Sequence, residues 1–145
     1  MSNVMGAAAY AKVGVESDVM SAGPHRLIVL LFDGAAKAIR AADLHMQAGR
    51  AAAKGEAISR AIDIVNNGLA AALDMERGGE VAEQLHSLYE YVCSRLLSAN
   101  LHDNRADLAE AGRILEDVAS AWREIDPKRG QAEVSEKRGE KHVVR

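Results

Sequence analysis

The residues best equipped for chemistry are few, and their spacing argues against most reactions. Glu83 and His86 form one Glu-x-x-His unit. A carboxylate-bridged di-metal bundle uses two such units on different helices, plus a Glu from each remaining helix. No second unit exists here. His25, His45, His102 and His142 follow no metal-ligand spacing. The reading is therefore no metal and no cofactor. Cys93, the lone cysteine, falls beside an apolar helical stripe and reads as a small packed hydrophobe. Asp33-Gly34 sits within a helical pattern and lacks the glycine spacing of a phosphate loop. Gly34 is expected to admit a close neighbour, at about 1 kcal/mol of helix propensity. Nothing suggests a catalytic nucleophile, and the chain is not expected to be an enzyme.

Composition narrows the class further. At 145 residues the chain is of single-domain size and can bury a core without disulfides or metal. A single cysteine excludes an internal disulfide and suits a reducing cytosol. No charged leader precedes an apolar stretch, and no segment is long enough to cross a bilayer, so the expected location is cytoplasmic, without membrane insertion. Net charge is −3, unevenly spread: residues 128–145 hold six Lys/Arg against three Glu, which leaves −6 on residues 1–127. An acidic body argues against nucleic acid. The basic tail reads as a solvated linker.

Abundant alanine, and only two prolines at Pro24 and Pro127, favour an all-α protein. Residues 1–20, rich in Ala and Gly, are expected to be a mobile arm carrying Tyr10. Pro24 opens the first helix, with Ser21 as a candidate cap, and Gly49 closes it. Its expected seam is Ile28, Leu31, Ala35, Ala38, Ala42 and His45. A second helix spans about Ala51 to Met75, with Ile58, Ala61, Ile62, Val65, Leu69 and Ala72 in phase. Gly78-Gly79 breaks the chain. A third helix runs from about Glu80 to Asn100 along Val81, Leu85, Leu88, Val92, Leu96 and Ala99. Asn104 is a plausible N-cap for the fourth. That helix has the cleanest heptad-like seam, Leu108, Ala111, Leu115, Val118, Trp122 and Ile125, and Pro127 ends it. The expected fold is an antiparallel four-helix up-down bundle over 21–126. The charged segment 127–145 is expected to be disordered.

One feature exceeds what four seams need. Leu27 to Phe32 are six consecutive apolar residues. Leu27, Leu30 and Phe32 flank the first seam; Ile64 and Leu73 flank the second; Tyr89, Tyr91 and Leu97 flank the third. Broad stripes packing two neighbours explain each residue singly. The whole set suggests an external groove for an amphipathic helix or extended segment, shielded when empty by the arm with Tyr10 or by a second copy of the chain. Asn67 and Asn100 could bond a bound backbone or serve merely as exposed or capping groups.

Three blocks of sequence resemble the flagellar secretion chaperone FliS family. They are "YAKVGVESDVMSAGPHRLIVLLFDGA", "AIDIVNNGLAAALDMERGGEVAEQLHSLYEYVCSRLLSANLHDN" and the pair Ala121-Trp122. Gly23 stands where that family often has Ser, and Gln84 where Asn is common. The resemblance implies a four-helix bundle that holds the C-terminal region of flagellin, hides its apolar faces from premature polymerisation and keeps it fit for type III export. It also implies that Tyr10 plugs the groove until flagellin displaces it. The groove candidates are Tyr10, Leu27, Leu30, Phe32, Ile64, Leu73, Tyr89, Tyr91 and Leu97. Two alternatives remain at this point: an adaptor acting mainly on export-gate components or a regulator, and a metal-dependent bundle enzyme.

Overall fold

The computed structural model describes residues 23–125. The arm with Tyr10, the Ser21 cap and the charged tail lie outside the described residues. Helix α1 spans Pro24–Gln47, α2 spans Ala51–Asp63, α3 spans Met75–His102 and α4 spans Arg105–Glu124. A π-helical segment, Ile64–Ala70, continues α2 without a break. No strand occurs among the described residues. Each helix packs on its two chain neighbours, and α4 closes the ring against α1. This is the antiparallel four-helix bundle that the apolar periodicity calls for.

The helix boundaries have local causes. Gly23 is the N-cap of α1, in extended conformation and without a side-chain cap bond, and Pro24 supplies the fixed φ of the first turn. Gly49 turns left-handed at φ 71°, where the amide of Arg50 closes back on the carbonyl of His45 at 2.9 Å. The amides of Ala106 and Asp107 donate to the Asn104 side chain at 2.9 and 3.2 Å, so the expected cap is the observed one.

Two boundaries differ from the sequence reading. Asp74 caps α3 earlier than Glu80, accepting from the amide of Arg77 at 3.0 Å. One turn forms, Gly79 breaks it at φ 52° and ψ −128°, and the helix resumes. The second helix is α only to Asp63, because Asn66-Asn67-Gly68 favours helix poorly and Gly68 lies hard against α1. A Cβ on Gly68 would sit 3.2 Å from Leu31 Cδ2. The tightest approach to α1 is thus at Gly68. The expected one, Gly34, would meet Ile64 Cδ1 at an ordinary 3.5 Å.

The core gathers Leu31, Phe32, Ile39, Ile58, Val65, Leu69, Val92, Leu96, Leu108 and Leu115 with closely fitting alanines. Its closure is uneven. On α3, Val92, Leu96 and Ala99 are buried and Leu85 and Leu88 half-buried, yet Val81 is 63% exposed. On α4, Leu108, Ala111 and Leu115 are buried and Val118 and Trp122 half-buried, yet Ile125 is 59% exposed. Val81 and Ile125 were expected in the seams. They emerge from it because both stripes run out at the same end of the bundle, where α3 begins and α4 finishes.

Candidate functional site

The apolar run that prompted the groove reading is mostly absorbed by the core. α1 packs on α2 and the π segment along one side and on α4 along the other, so its buried stripe is wide. Val29, Leu31 and Phe32 are buried, while Leu27, Ile28 and Leu30 are half-buried. Phe32, Ile64 and Tyr89 are only 3, 6 and 4% exposed and belong to the core cluster. In this structure the three therefore sit in the core and not on an outer face. Ile64 faces Gly34 of α1. Burial pushes the Tyr89 phenol up to about 12.

The other described candidates lie on three different seams. Leu27 and Leu30 share the side of α1 that carries Gly34 toward the π segment. Leu73, half-buried against the core, follows that segment. Tyr91 is 42% exposed on the α4 side of α3, where its hydroxyl donates to Glu110 Oε2 at 2.8 Å. That hydrogen bond, ahead of partial desolvation, raises the phenol's pKa. Leu97 is 53% exposed, one helical turn from Cys93, which faces Ile62 of α2. Leu101, missed in the sequence, extends this patch at 76% exposure. The described residues therefore present apolar surface on several faces.

The polar side chains hold the scaffold. Lys54, 6% exposed, reaches the carbonyl of Asn100 at 3.0 Å and Asp103 Oδ1 at 2.5 Å. A cation there satisfies one C-terminal carbonyl of α3 and opposes its dipole. Asn100 thus uses its carbonyl within the bundle, and the Asn67 side chain bonds Asp63. Arg105 grips Asp43 at 2.8 Å, which lowers the carboxyl's pKa. At the opposite end, His25 and Trp122 clasp reciprocally. Imidazole Nε2 meets the Trp122 carbonyl at 2.8 Å, and indole Nε1 donates to the His25 carbonyl at 3.1 Å. Their rings stack 5.1 Å apart. Asp33 joins this tie between α1 and α4 by accepting from Arg123 at 3.0 Å. The sequence offered Asp33 and His25 only as weak chemical candidates; their pairing needs the fold.

Chemical alternatives find no assembled site among the described residues. His86 pairs with its neighbour Glu90 at 3.0 Å, and no cluster of three His, Cys, Asp or Glu residues could hold a metal. Burial, with Glu90 adding to it, pushes the Cys93 thiol up, away from the reactive thiolate. No described helix is long and apolar enough to cross a membrane.

The fold and its patches define a four-helix bundle with exposed apolar surface, and no metal cluster is assembled among its described residues. Comparison with known proteins gives the class its name. Residues 6–129 match the family model described as flagellar protein FliS. The chain is 50% identical to the flagellar secretion chaperone FliS of Salmonella typhimurium over 128 residues, covering 88% of this chain and 95% of that one. It is 42% identical to the protein of the same name from Escherichia coli, over 82% of this chain and 88% of that one. It is 26% identical to the Bacillus subtilis protein of that name, over 75% and 80%. The chain belongs to the FliS family of flagellar secretion chaperones, which are chaperones and not enzymes.

Proposed function

We propose that this chain is a cytoplasmic chaperone for flagellin, holding the C-terminal region of the monomer until it is exported by the type III flagellar route. One observation carries the reading: α3 leaves Val81, Tyr91, Leu97 and Leu101 between 42 and 76% exposed, on both of its flanks. A client that wraps around the bundle would cover apolar surface distributed in this way; a compact ligand in one pocket would not. The chain needs no nucleotide for this. Apolar contacts supply affinity, offset by roughly 2–5 kcal/mol for ordering a disordered client. Covering the client's own apolar helix faces keeps it from pairing with other copies. On this reading Tyr10 shields part of the surface until the client arrives.

Calorimetry with a flagellin C-terminal peptide tests the proposal. Binding with a negative heat-capacity change, the mark of apolar burial, is the expected outcome. No heat of binding, together with no co-elution, would remove flagellin's C-terminal region as the client. Deleting residues 1–17 should leave the helical signal intact and tighten peptide binding. Loss of the fold would instead place the arm in the core.

A further inference from the structure

The seam between α3 and α4 is stapled along only part of its length. Ser98 donates to Asp107 at 2.6 Å, Arg95 approaches Asp107 at 3.7 Å and Tyr91 donates to Glu110 at 2.8 Å. Beyond Tyr91, toward the start of α3, no side-chain hydrogen bond or ion pair among the described residues joins the two helices. An open concavity lies on the α3 side of this stretch, lined entirely from α3 by Glu80, Glu83, Gln84, Ser87, Leu88 and Tyr91. Helical spacing puts Glu80, Gln84, Ser87 and Tyr91 on the flank of α3 that faces α4. The same spacing continues Asp107 and Glu110 of α4 into Ile114, Asp117 and Ala121. Arg113 stands three residues from Glu110 and four from Asp117, so the excess acid on this stretch comes from Glu80 and Glu83. The open stretch thus combines a partly apolar floor, Leu88 and Tyr91, with the carboxylates of Glu80 and Glu83.

We propose that this seam seats the chain's own basic segment, residues 128–145. The observations that select this occupant are charge, position and reach. The segment carries six Lys/Arg against three Glu, with Val134, Val143 and Val144 among them for the floor. It follows directly from α4, whose last turn stands beside the open stretch, with Ile125 59% exposed. From the level of Tyr91 to Glu80 the seam runs about 17 Å at 1.5 Å per residue. Extended chain covers about 3.3 Å per residue, so a handful of tail residues spans it. Lys128 and Arg129 meet the acids first, and the remaining cations follow along the seam. The inference does not depend on which client the chaperone carries.

Backbone 15N relaxation on the full chain tests it. At low salt, order parameters within 128–145 should exceed about 0.6, above the range of free chain. They should fall below that in Glu80→Lys/Glu83→Lys and in Lys137→Glu/Arg138→Glu, the second of which leaves the bundle untouched. They should fall likewise in about 0.5 M salt, where screening shortens to a few Å. Amide shifts of Gln84, Ser87 and Tyr91 should move in step. Free-chain order parameters in the wild type would overturn the proposal. So would a tail ordered equally in both charge variants, since its seat would then be elsewhere. Concentration-dependent shifts with a sedimenting dimer would give the seam to a second copy. Seam shifts that respond to deletion of residues 1–22 but not to tail charge would give it to the arm.

Discussion

The two ends of the bundle are built differently. At one end, where α1 passes to α2 and α3 to α4, polar side chains tie helix to helix. Lys54 holds the C-terminus of α3, Arg105 grips Asp43 across α1 and α4, and Asn104 caps α4. At the other end, α1 and α4 are tied by His25, Trp122, Asp33 and Arg123, whereas the start of α3 is capped within its own first turn by Asp74. Val81 and Ile125 leave the core there, and Gly79 bends the backbone. Polar ties hold α1, α3 and α4 at the first end, and apolar Val81 and Ile125 stand exposed at the second. A frame fixed at one end can afford exposed apolar surface at the other without losing its register.

Breaking the tie at the open end should have the largest effect. Trp122→Ala removes a stacked ring and an indole donor, and should cost about 3 kcal/mol in urea unfolding, in line with other large-to-small changes at packed aromatics. Trp122→Phe keeps a ring and loses the N–H, so a cost nearer 1 kcal/mol is expected. Equal losses in the two variants would mean that the indole hydrogen bond, and not packing, makes the clasp. At the closed end, Lys54→Met keeps the aliphatic stem and deletes the charge. A loss of about 1.5–3 kcal/mol is expected, the worth of a hydrogen bond to a charged group. Stability unchanged in this variant would show that the buried ammonium does not hold the end of α3.

Between the ends, Tyr89 reports on the core through pH. Burial raises its phenol from 10 to about 12, so the folded state keeps the proton longer than the unfolded state does. Its contribution is complete below pH 10 and is lost as pH rises toward and past 12. The wild type should therefore lose up to roughly 2–3 kcal/mol relative to Tyr89→Phe over that interval, by the usual conversion of a pKa difference. Parallel alkaline unfolding curves would place the phenol in water.

The four helices were legible because their burial is periodic, and one family of spacings fits each. The caps at Asn104 and Gly49 were legible because capping is a local property of the chain. The π segment was not. Asn66-Asn67-Gly68 signals weak helix, but the wide turn depends on Leu31 pressing against Gly68 from another helix. Which flanking residues stay exposed was not legible for a related reason. Phe32, Ile64 and Tyr89 sit off the central stripe, and periodicity along one helix does not reveal that two neighbours reach that far around it. Leu97 and Tyr91 are equally off-stripe and remain exposed. Only the positions of α2 and α4 distinguish the two groups. The Lys54 site was silent in sequence, because a lysine amid helical alanines reads as solvent-facing until the end of α3 is placed over it.

The smallest effect on stability should accompany a large effect on function, and this separates the two halves of the comparison most sharply. Val81→Ser and Leu97→Ser alter exposed side chains that support no described hydrogen bond. Unfolding free energy should stay within about 0.5 kcal/mol of the wild type. If these residues meet the client, each should weaken the flagellin C-terminal peptide by roughly five- to tenfold, about 1–1.4 kcal/mol. Val81 belongs to the open end of the core and Leu97 to the α2-facing patch, so their effects should add if the client wraps both faces. A client confined to one face would respond to one substitution only. The same pair distinguishes surface from scaffold: a loss of stability matching the loss of binding would mean that the exposed side chains serve the fold, and that the client binds elsewhere.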